Sequence, residues 1–400
     1  MARRLRIGLF IDTFFPMVDG VIMVVDNYAR RLQKYCDVTV FAPNGRKKYD
    51  DSKLPYKVVR CKTKFPLVFL DYDLPLPKLD AEFKKELDKA DLDLVHIHSP
   101  FTIGKVGVKY AKKHKIPAIA TMHSQFKKDF KKAVKLNGIT NLMVKNVISV
   151  FNHCDECWAV NSEIAKVFVE YGAKTLPKVQ NNGTEMKSFE DEKAILQLKK
   201  NYKIKTNEKI LLFIGRLTAL KNIFFIVDSL KSLKEKGFKF KMIFVGTGQD
   251  EDKLKAQIKK LKLEKEVILT GKITNREEIA KHYKMADLFV FPSLYDASSL
   301  VQIEAASQGT PTLFLRGAAT AATVTEDVNG YIAENDEEKF ADKIIEIFSN
   351  EKKYKEVCEN AKRDLYVTWD KAVEKALRDY IEILKEFHKR RRKWVKKYLF

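Results

Sequence analysis

Short apolar runs recur along the 400 residues, and stretches with helical spacing or turn residues separate them. Arg6 to Ile11, Asp37 to Ala42, Asp93 to His98 and Ile116 to His123 read as strands of a parallel sheet, apolar enough to be buried on both faces. Val21 to Leu32 and Lys105 to Lys113 carry apolar residues at helical spacing between them. Trp158 to Asn161 and Val179 to Gly183 add two further strands. A charged, helix-prone stretch, Phe189 to Tyr202, leads into a second series: Lys209 to Gly215, Lys241 to Val245, Val267 to Thr270, Leu288 to Phe291 and Thr312 to Leu315. Strands alternating with helices define an α/β fold, here two successive Rossmann-like domains.

In open α/β sheets ligands gather beyond the carboxyl ends of the strands, so the residues that follow each run are the candidates for chemistry. After Phe291 a loop carries Asp296, and a helix beginning near Leu300 carries Glu304 about one turn in. The amides between these acids can face an oxygen-rich ligand, because a helix start leaves its first N–H groups unpaired. Gly215 and Arg216 follow a buried strand, and Lys221 stands at the next helix start. Two cations at such a mouth, beside helix amides, make an anion site suited to a diphosphate. Gly246 and Ile273 follow two more strand ends and are placed with the same ligand. In the first domain Gly20 enters a helix, either as a turn residue or with its amide toward a phosphate or sugar. His98 and His123 both end strands, and polar Ser124 and Gln125 follow the second. No Gly-x-Gly-x-x-Gly occurs, which disfavours a dinucleotide cofactor.

The charge changes the picture. With 75 Lys and Arg against 53 Asp and Glu, the net charge is +22. Such a surface attracts nucleic acid, anionic lipid or phosphorylated metabolites. It is clustered in two places. In Gln125 to Val134, Phe126, Phe130, Ala133 and Val134 share one helical face, and Lys127, Lys128, Lys131, Lys132 and Lys135 crowd the rest. The chain end mixes Lys389 to Lys393, Lys396 and Lys397 with Phe387, Trp394 and Tyr398. Either segment reads as a membrane-surface element or as an ordinary solvated basic face. A nucleic-acid-binding module is not found. No apolar run approaches the ~18 residues of a membrane-spanning helix, and the N-terminus reads as a strand. Five scattered cysteines fit a reducing cytoplasm. His153-Cys154 with Cys157, and the acid pairs Asp71/Asp73 and Asp91/Asp93, are assigned no metal.

Taken in order, Gly20, His123, Gly215-Arg216 with Lys221, Asp296 with Glu304, Gly309-Thr-Pro311 and Asn329-Gly330 resemble glycosyltransferase family 4, retaining enzymes of the GT-B fold, over essentially the whole chain. Within the family the likeness is greatest to bacterial diacylglycerol glycosyltransferases. The resemblance implies two Rossmann-like domains facing across a cleft, 1–186 and 187–377, with a C-terminal helix, 378–400, crossing back to the first. It implies that Arg216 and Lys221 hold the donor diphosphate and that Glu304 bonds the nucleotide ribose. It puts the amides of Ala297, Ser298, Ser299 and Leu300 on sugar hydroxyls. Gly20 then approaches the diphosphate, and His123 lies by the transferred sugar. Asp296 stands where the family has Glu; Ala297-Ser-Ser replaces a Gly-rich segment, and Gly317-Ala-Ala-Thr a Gly-Gly-x-x-Glu.

The expected activity is transfer of a hexose from a nucleotide diphosphate sugar, UDP-glucose or UDP-galactose, to a lipid acceptor such as diacylglycerol, without metal or other cofactor. The expected acceptor surface is Phe126, Lys127, Lys128, Phe130, Lys131 and Trp394, and the expected location is peripheral, on the inner face of the cell membrane. The rival readings are a polysaccharide-precursor acceptor, and a non-catalytic sugar-nucleotide-binding or nucleic-acid-binding protein.

Overall fold

The computed structural model describes residues 3–66, 73–134, 136–298 and 300–398; the side chains of 133 and 392–398 are outside that description. Two compact units form, Met1–Asn182 with Trp369–Phe400, and Gly183–Thr368. The division falls before 186, because the Thr184 amide donates to the Val367 carbonyl at 2.9 Å and ties the start of the second unit to its end. The return segment likewise begins at Trp369 and not at 378, since one helix runs unbroken over Trp369–Tyr398.

In the first unit, β1 (Arg6–Phe10), β2 (Asp37–Pro43), β3 (Lys57–Cys61), β4 (Leu94–Ile97), β5 (Ala118–Met122), β6 (Glu156–Ala159) and β7 (Lys178–Val179) form one sheet. The order is β3-β2-β1-β4-β5-β6-β7, and the pairs are parallel. Ile7 pairs with Val38 on one side and Leu94 on the other. Strand order therefore reverses between β1 and β4, which opens a crevice at their carboxyl ends. Here Asp12 bridges that crevice. The Asp12 carboxylate accepts from Ser99 Oγ at 2.9 Å, Thr102 Oγ1 at 3.1 Å and the Ile103 amide at 2.7 Å. It caps the helix Thr102–His114, which has no side-chain cap from its own N-cap residue. Burial pushes the Asp12 pKa up, against the lowering by these bonds.

The helix Trp369–Tyr398 belongs to this unit through buried polar contacts. His96 lies inside β4 with no exposure. Its Nδ1 is 2.6 Å from Tyr380 Oη and its Nε2 2.7 Å from Thr121 Oγ1. Tyr380 also stacks on Trp158 at 5.2 Å. Leaving one His96 nitrogen bare would cost about 1–3 kcal/mol, so this contact anchors the helix.

The second unit repeats the plan. Its strands are β8 (Lys209–Ile214), β9 (Phe240–Val245), β10 (Val267–Leu269), β11 (Leu288–Val290), β12 (Thr312–Leu315) and β13 (Tyr331–Ala333). They lie in the order β10-β9-β8-β11-β12-β13, again with parallel pairs. Leu211, Leu212, Phe213, Ile243, Phe244, Leu288 and Phe289 have no exposure, as continuous apolar runs require when helices cover both faces. The reversal lies between β8 and β11.

Candidate active site

In the second unit charged side chains gather where the strand order reverses. β8 leads through Gly215 and Arg216 into a short 3-10 turn, Ala219–Lys221, and the helix Ile223–Glu235 follows. Asn222, in the left-handed region at φ 60°, turns the chain between them, and its Nδ2 donates to the Pro292 carbonyl at 3.2 Å. Ser293 Oγ donates to the Leu220 carbonyl at 3.3 Å. These bonds tie the loop after β11 to the loop after β8. They bring Lys221 Nζ to 2.5 Å from Asp296 Oδ1, with both side chains about one-fifth exposed. Lys221 also lies 5.6 Å from the Phe291 ring centroid. Arg216 is exposed and has no side-chain partner among the described residues. An unpaired guanidinium beside a paired ammonium is a cationic mouth that a diphosphate can fill.

The glycines at the strand ends have different reasons. Gly246 has φ 142°, and a Cβ there would lie 1.9 Å from the Gly215 carbonyl oxygen. Its amide donates to the Gly271 carbonyl at 2.9 Å. Gly246 thus packs the rim of loops. Gly20 is the opposite case: it is the first residue of the helix Gly20–Leu32, exposed, and a Cβ would meet nothing within 4 Å. Its own unit gives no steric reason for glycine. Ile273 packs against the apolar core of the second unit.

Glu304 takes a different partner from Asp296. It sits in the helix Leu300–Ser307 at 8% exposure. Its Oε1 is 2.5 Å from Arg276 Nη2, and its Oε2 accepts from Tyr283 Oη at 3.3 Å. Burial works against the Arg276 charge, and the Glu304 carboxylate raises the pKa overall. Neither Arg276 nor Tyr283 was singled out in the sequence; their spacing of seven, on one helical face after a strand end, is the only signal. Ala297 is nearly buried, and Ser298 and Leu300 are partly so; Ser299 lies outside the described residues.

In the first unit His123 ends a row of imidazoles. His98 Nδ1 lies 3.1 Å from His123 Nε2, and the rings stack at 5.3 Å. His96 and His98 centroids are 4.0 Å apart. Burial pushes the His123 pKa down to about 3 and those of His96 and His98 well below the usual histidine range. All three are neutral near pH 7. His98 Nε2 is buried without a hydrogen-bond partner. A bare lone pair there is a smaller penalty than a bare N–H. The proton of His98 is therefore assigned to Nδ1, which donates to His123 Nε2. The His123 proton is then on Nδ1. Its Nε2 is occupied as an acceptor, so His123 offers a donor and not a general base.

The expected membrane residues divide. Lys127, Lys128 and Lys131 are exposed on the helix Phe126–Val134. Phe126 and Phe130 are not available: each is 8% exposed, and they pack edge-on to Phe101 at 6.1 and 6.4 Å. Burying such a ring contributes about 1.5–3 kcal/mol, so the core keeps it. The exposed apolar side chains stand next along the chain, at Leu136, Ile139 and Leu142. The side chain of Trp394 lies outside the described residues, as does that of Lys135. Among the described residues no cluster of metal-ligating side chains occurs, and His153, Cys154 and Cys157 bond to backbone carbonyls.

Residues 18–187 match the family model Glycosyltransferase Family 4, and residues 195–364 match Glycosyl transferases group 1. The chain is 29% identical over 320 residues to alpha-monoglucosyldiacylglycerol synthase of Streptococcus pneumoniae, across 77% of this chain and 70% of that one. It is 24% identical over 389 residues to the GDP-mannose-dependent alpha-mannosyltransferase of Corynebacterium glutamicum, across 96% and 90%. It shares its fold with Anabaena HepE, solved in complex with UDP-glucose, at a TM-score of 0.71 and 17% identity over 94% of this chain and 100% of that one. These likenesses and the two doubly wound sheets define a glycosyltransferase of the GT-B fold. The chain belongs to glycosyltransferase family 4, and in it resembles the diacylglycerol glycosyltransferases.

Proposed function

We propose that the protein transfers a hexose from a UDP-linked sugar, UDP-glucose or UDP-galactose, to a membrane lipid such as diacylglycerol or its glycosylated form. The observation that carries the donor half is the cationic mouth after β8, with Arg216 unpaired among the described residues and Lys221 held by Asp296. In the reaction the bond from the sugar's anomeric carbon to the diphosphate oxygen breaks, and a bond from the acceptor hydroxyl oxygen to that carbon forms. The hydroxyl proton passes to the leaving phosphate. The charge growing on the diphosphate is met by fixed cations and amides, so the reading requires no metal ion. His123, as a neutral donor, bonds a sugar hydroxyl. The acceptor half is supported by the likeness to the Streptococcus enzyme and by Leu136, Ile139 and Leu142 exposed beside a lysine-rich helix. No helix among the described residues is long and apolar enough to cross a membrane, and in this reading the protein sits peripherally on the inner face.

A panel of labelled UDP- and GDP-sugars with vesicles containing or lacking diacylglycerol tests the proposal, with and without a chelator. Label in lipid from a UDP-hexose, only with diacylglycerol present and unaffected by chelation, is the expected result. Turnover of GDP-mannose alone would favour the reading suggested by the Corynebacterium relative.

A further inference from the structure

The first unit contains a groove of about 1080 Å³ that the transfer reaction does not use. It lies between the helices Thr102–His114 and Asn137–Phe151, with Phe387 and Arg391 of the C-terminal helix at one side. Ile116 and Ala118 reach it from the amino end of β5, whereas His123 follows the carboxyl end. A five-residue strand separates the two by about 16 Å.

The walls are chemically unequal. Lys105, Lys109 and Lys112 follow one another at spacings of four and three, which sets them on one helical face toward the groove. Lys115 and Arg391 extend the row, and Arg391 Nη1 donates to the Lys115 carbonyl at 3.5 Å. None of the four lysines meets a carboxylate among the described residues; Lys105 instead donates to Asn146 Oδ1 at 2.7 Å, across the groove. The single acid in the lining, Asp155, accepts from the Ala118 amide at 3.0 Å, and burial pushes its pKa up. Ser149 and His153 add two polar side chains, and the floor between them and the lysines is apolar: Val108, Ile116, Ala118, Val150 and Phe387.

We propose that this groove binds one anionic membrane lipid, with its phosphate among the lysines and an acyl chain along the apolar floor. A free phosphate would leave the floor wet, and a neutral lipid would leave five cations without a counter-charge. The volume matches the upper end of small-molecule sites, about 300–1,000 Å³, which is room for a chain as well as a head. The lipid here is a bound ligand and not the acceptor, because the groove opens at the end of the sheet opposite His123.

The test uses the full chain and soluble short-chain lipids below their micelle-forming concentrations, in calorimetry without nucleotide sugar or bilayer. Its outcome is therefore independent of glycosyl transfer. Dihexanoyl phosphatidylglycerol should bind, and dihexanoyl phosphatidylcholine and glycerol 3-phosphate should each bind at least tenfold more weakly. Ser149 is exposed in the lining, so Ser149→Trp should fill the groove without harming the fold. That variant and the pair Lys109→Glu with Lys112→Glu should each lose at least tenfold in affinity, with unchanged circular dichroism. Equal binding of glycerol 3-phosphate would make this a plain anion site, and equal binding of the phosphatidylcholine would remove the role of charge. Wild-type affinity in Ser149→Trp would place the lipid elsewhere. Any of the three overturns the proposal.

Discussion

Lys221 Nζ lies 2.5 Å from Asp296 Oδ1, joining the loop after β8 to the loop after β11 across the point where strand order reverses. The pair fixes a cation where a diphosphate can reach helix amides, and Arg216, in the same loop after β8, has no side-chain partner among the described residues. Arg216→Ala should therefore weaken nucleotide-sugar binding by the worth of one charge-assisted bond, about 1.5–3 kcal/mol. Lys221→Ala should lose more, because it also leaves the Asp296 charge facing the diphosphate. Calorimetry with UDP compares the two. Unchanged affinity in both would remove the donor site from this crevice.

Asp296→Asn separates the pair's geometry from its charge. The amide oxygen can still accept from Lys221, so the loop should keep its place. Removing a negative charge beside a diphosphate should leave UDP binding equal or tighter, while turnover falls at least tenfold because the sugar is no longer oriented by a carboxylate. Full turnover in Asp296→Asn would show that this acid only anchors Lys221.

His123→Ala should lower turnover far more than donor affinity. With Nε2 accepting from His98, His123 acts through its Nδ1 proton. His98→Asn, which keeps a donor near the Nδ1 position, should retain more activity than His98→Leu. Wild-type turnover in His123→Ala would reduce the imidazole row to a packing feature.

The same row makes stability depend on pH with a definite sign. In the unfolded chain each histidine titrates near 6.5, while folding holds His123 down at about 3 and His96 and His98 well below their ordinary value, through burial. Below pH 6.5 the unfolded state takes up protons that the folded state refuses. Stability is complete above that pH and declines as pH falls below it, for His123 down to about 3, with at most about 1.4 kcal/mol per unit from any one histidine. His282, lowered by burial in the second unit, acts in the same direction. Urea midpoints at pH 7, 6 and 5 read the slope, and His98→Asn should shallow it. A flat profile across this window would contradict neutral buried imidazoles.

How much of this was legible in the sequence varies with the kind of interaction. Strands with an unbroken apolar run after their first residue, such as Lys209–Ile214 and Thr312–Leu315, announced themselves, since burial on both faces leaves no other pattern. β3 did not, because Lys57 and Arg60 break its apolar run, and Tyr331–Ala333 is too short to show a period. The helix Asn137–Phe151 follows Leu136, an N-cap residue whose side chain makes no capping bond, so it carried no start signal. Position relative to strand ends located Arg216, Lys221 and Asp296. Partnership was not legible. That Asp296 pairs with Lys221, that Glu304 pairs with Arg276, and that Asp12 caps the helix after β4 all join residues far apart in the chain. The face of the helix Phe126–Val134 was read correctly as amphipathic, but periodicity alone does not say whether an apolar face meets a lipid or a core.

Because Phe126 and Phe130 are buried, apolar insertion falls to Leu136, Ile139 and Leu142, exposed at 60%, 46% and 68%. Each such side chain taken out of water contributes up to about 1.5–3 kcal/mol, and each basic residue near an anionic leaflet about 1 kcal/mol, screened beyond a Debye length. The exposed lysines 127, 128, 131 and 132 precede this row directly. Binding should therefore have two separable parts. Lys127→Glu with Lys131→Glu should reduce the preference for anionic over neutral vesicles and the loss of binding with salt. Ile139→Asp with Leu142→Asp should weaken binding to both kinds of vesicle, and should lower transfer to diacylglycerol while UDP affinity is unchanged. Both sites are exposed, so the fold should tolerate the charges. Phe126→Ala, by contrast, should lower thermal stability, since it empties a place in the core. Removing Lys389 to Phe400 should reduce anionic binding further if the basic chain end meets the same surface. Co-sedimentation at two salt concentrations reads all of these. Wild-type pelleting of the Ile139→Asp, Leu142→Asp protein would take the apolar row out of the membrane, and equal pelleting with anionic and neutral vesicles, or none, would favour a soluble acceptor.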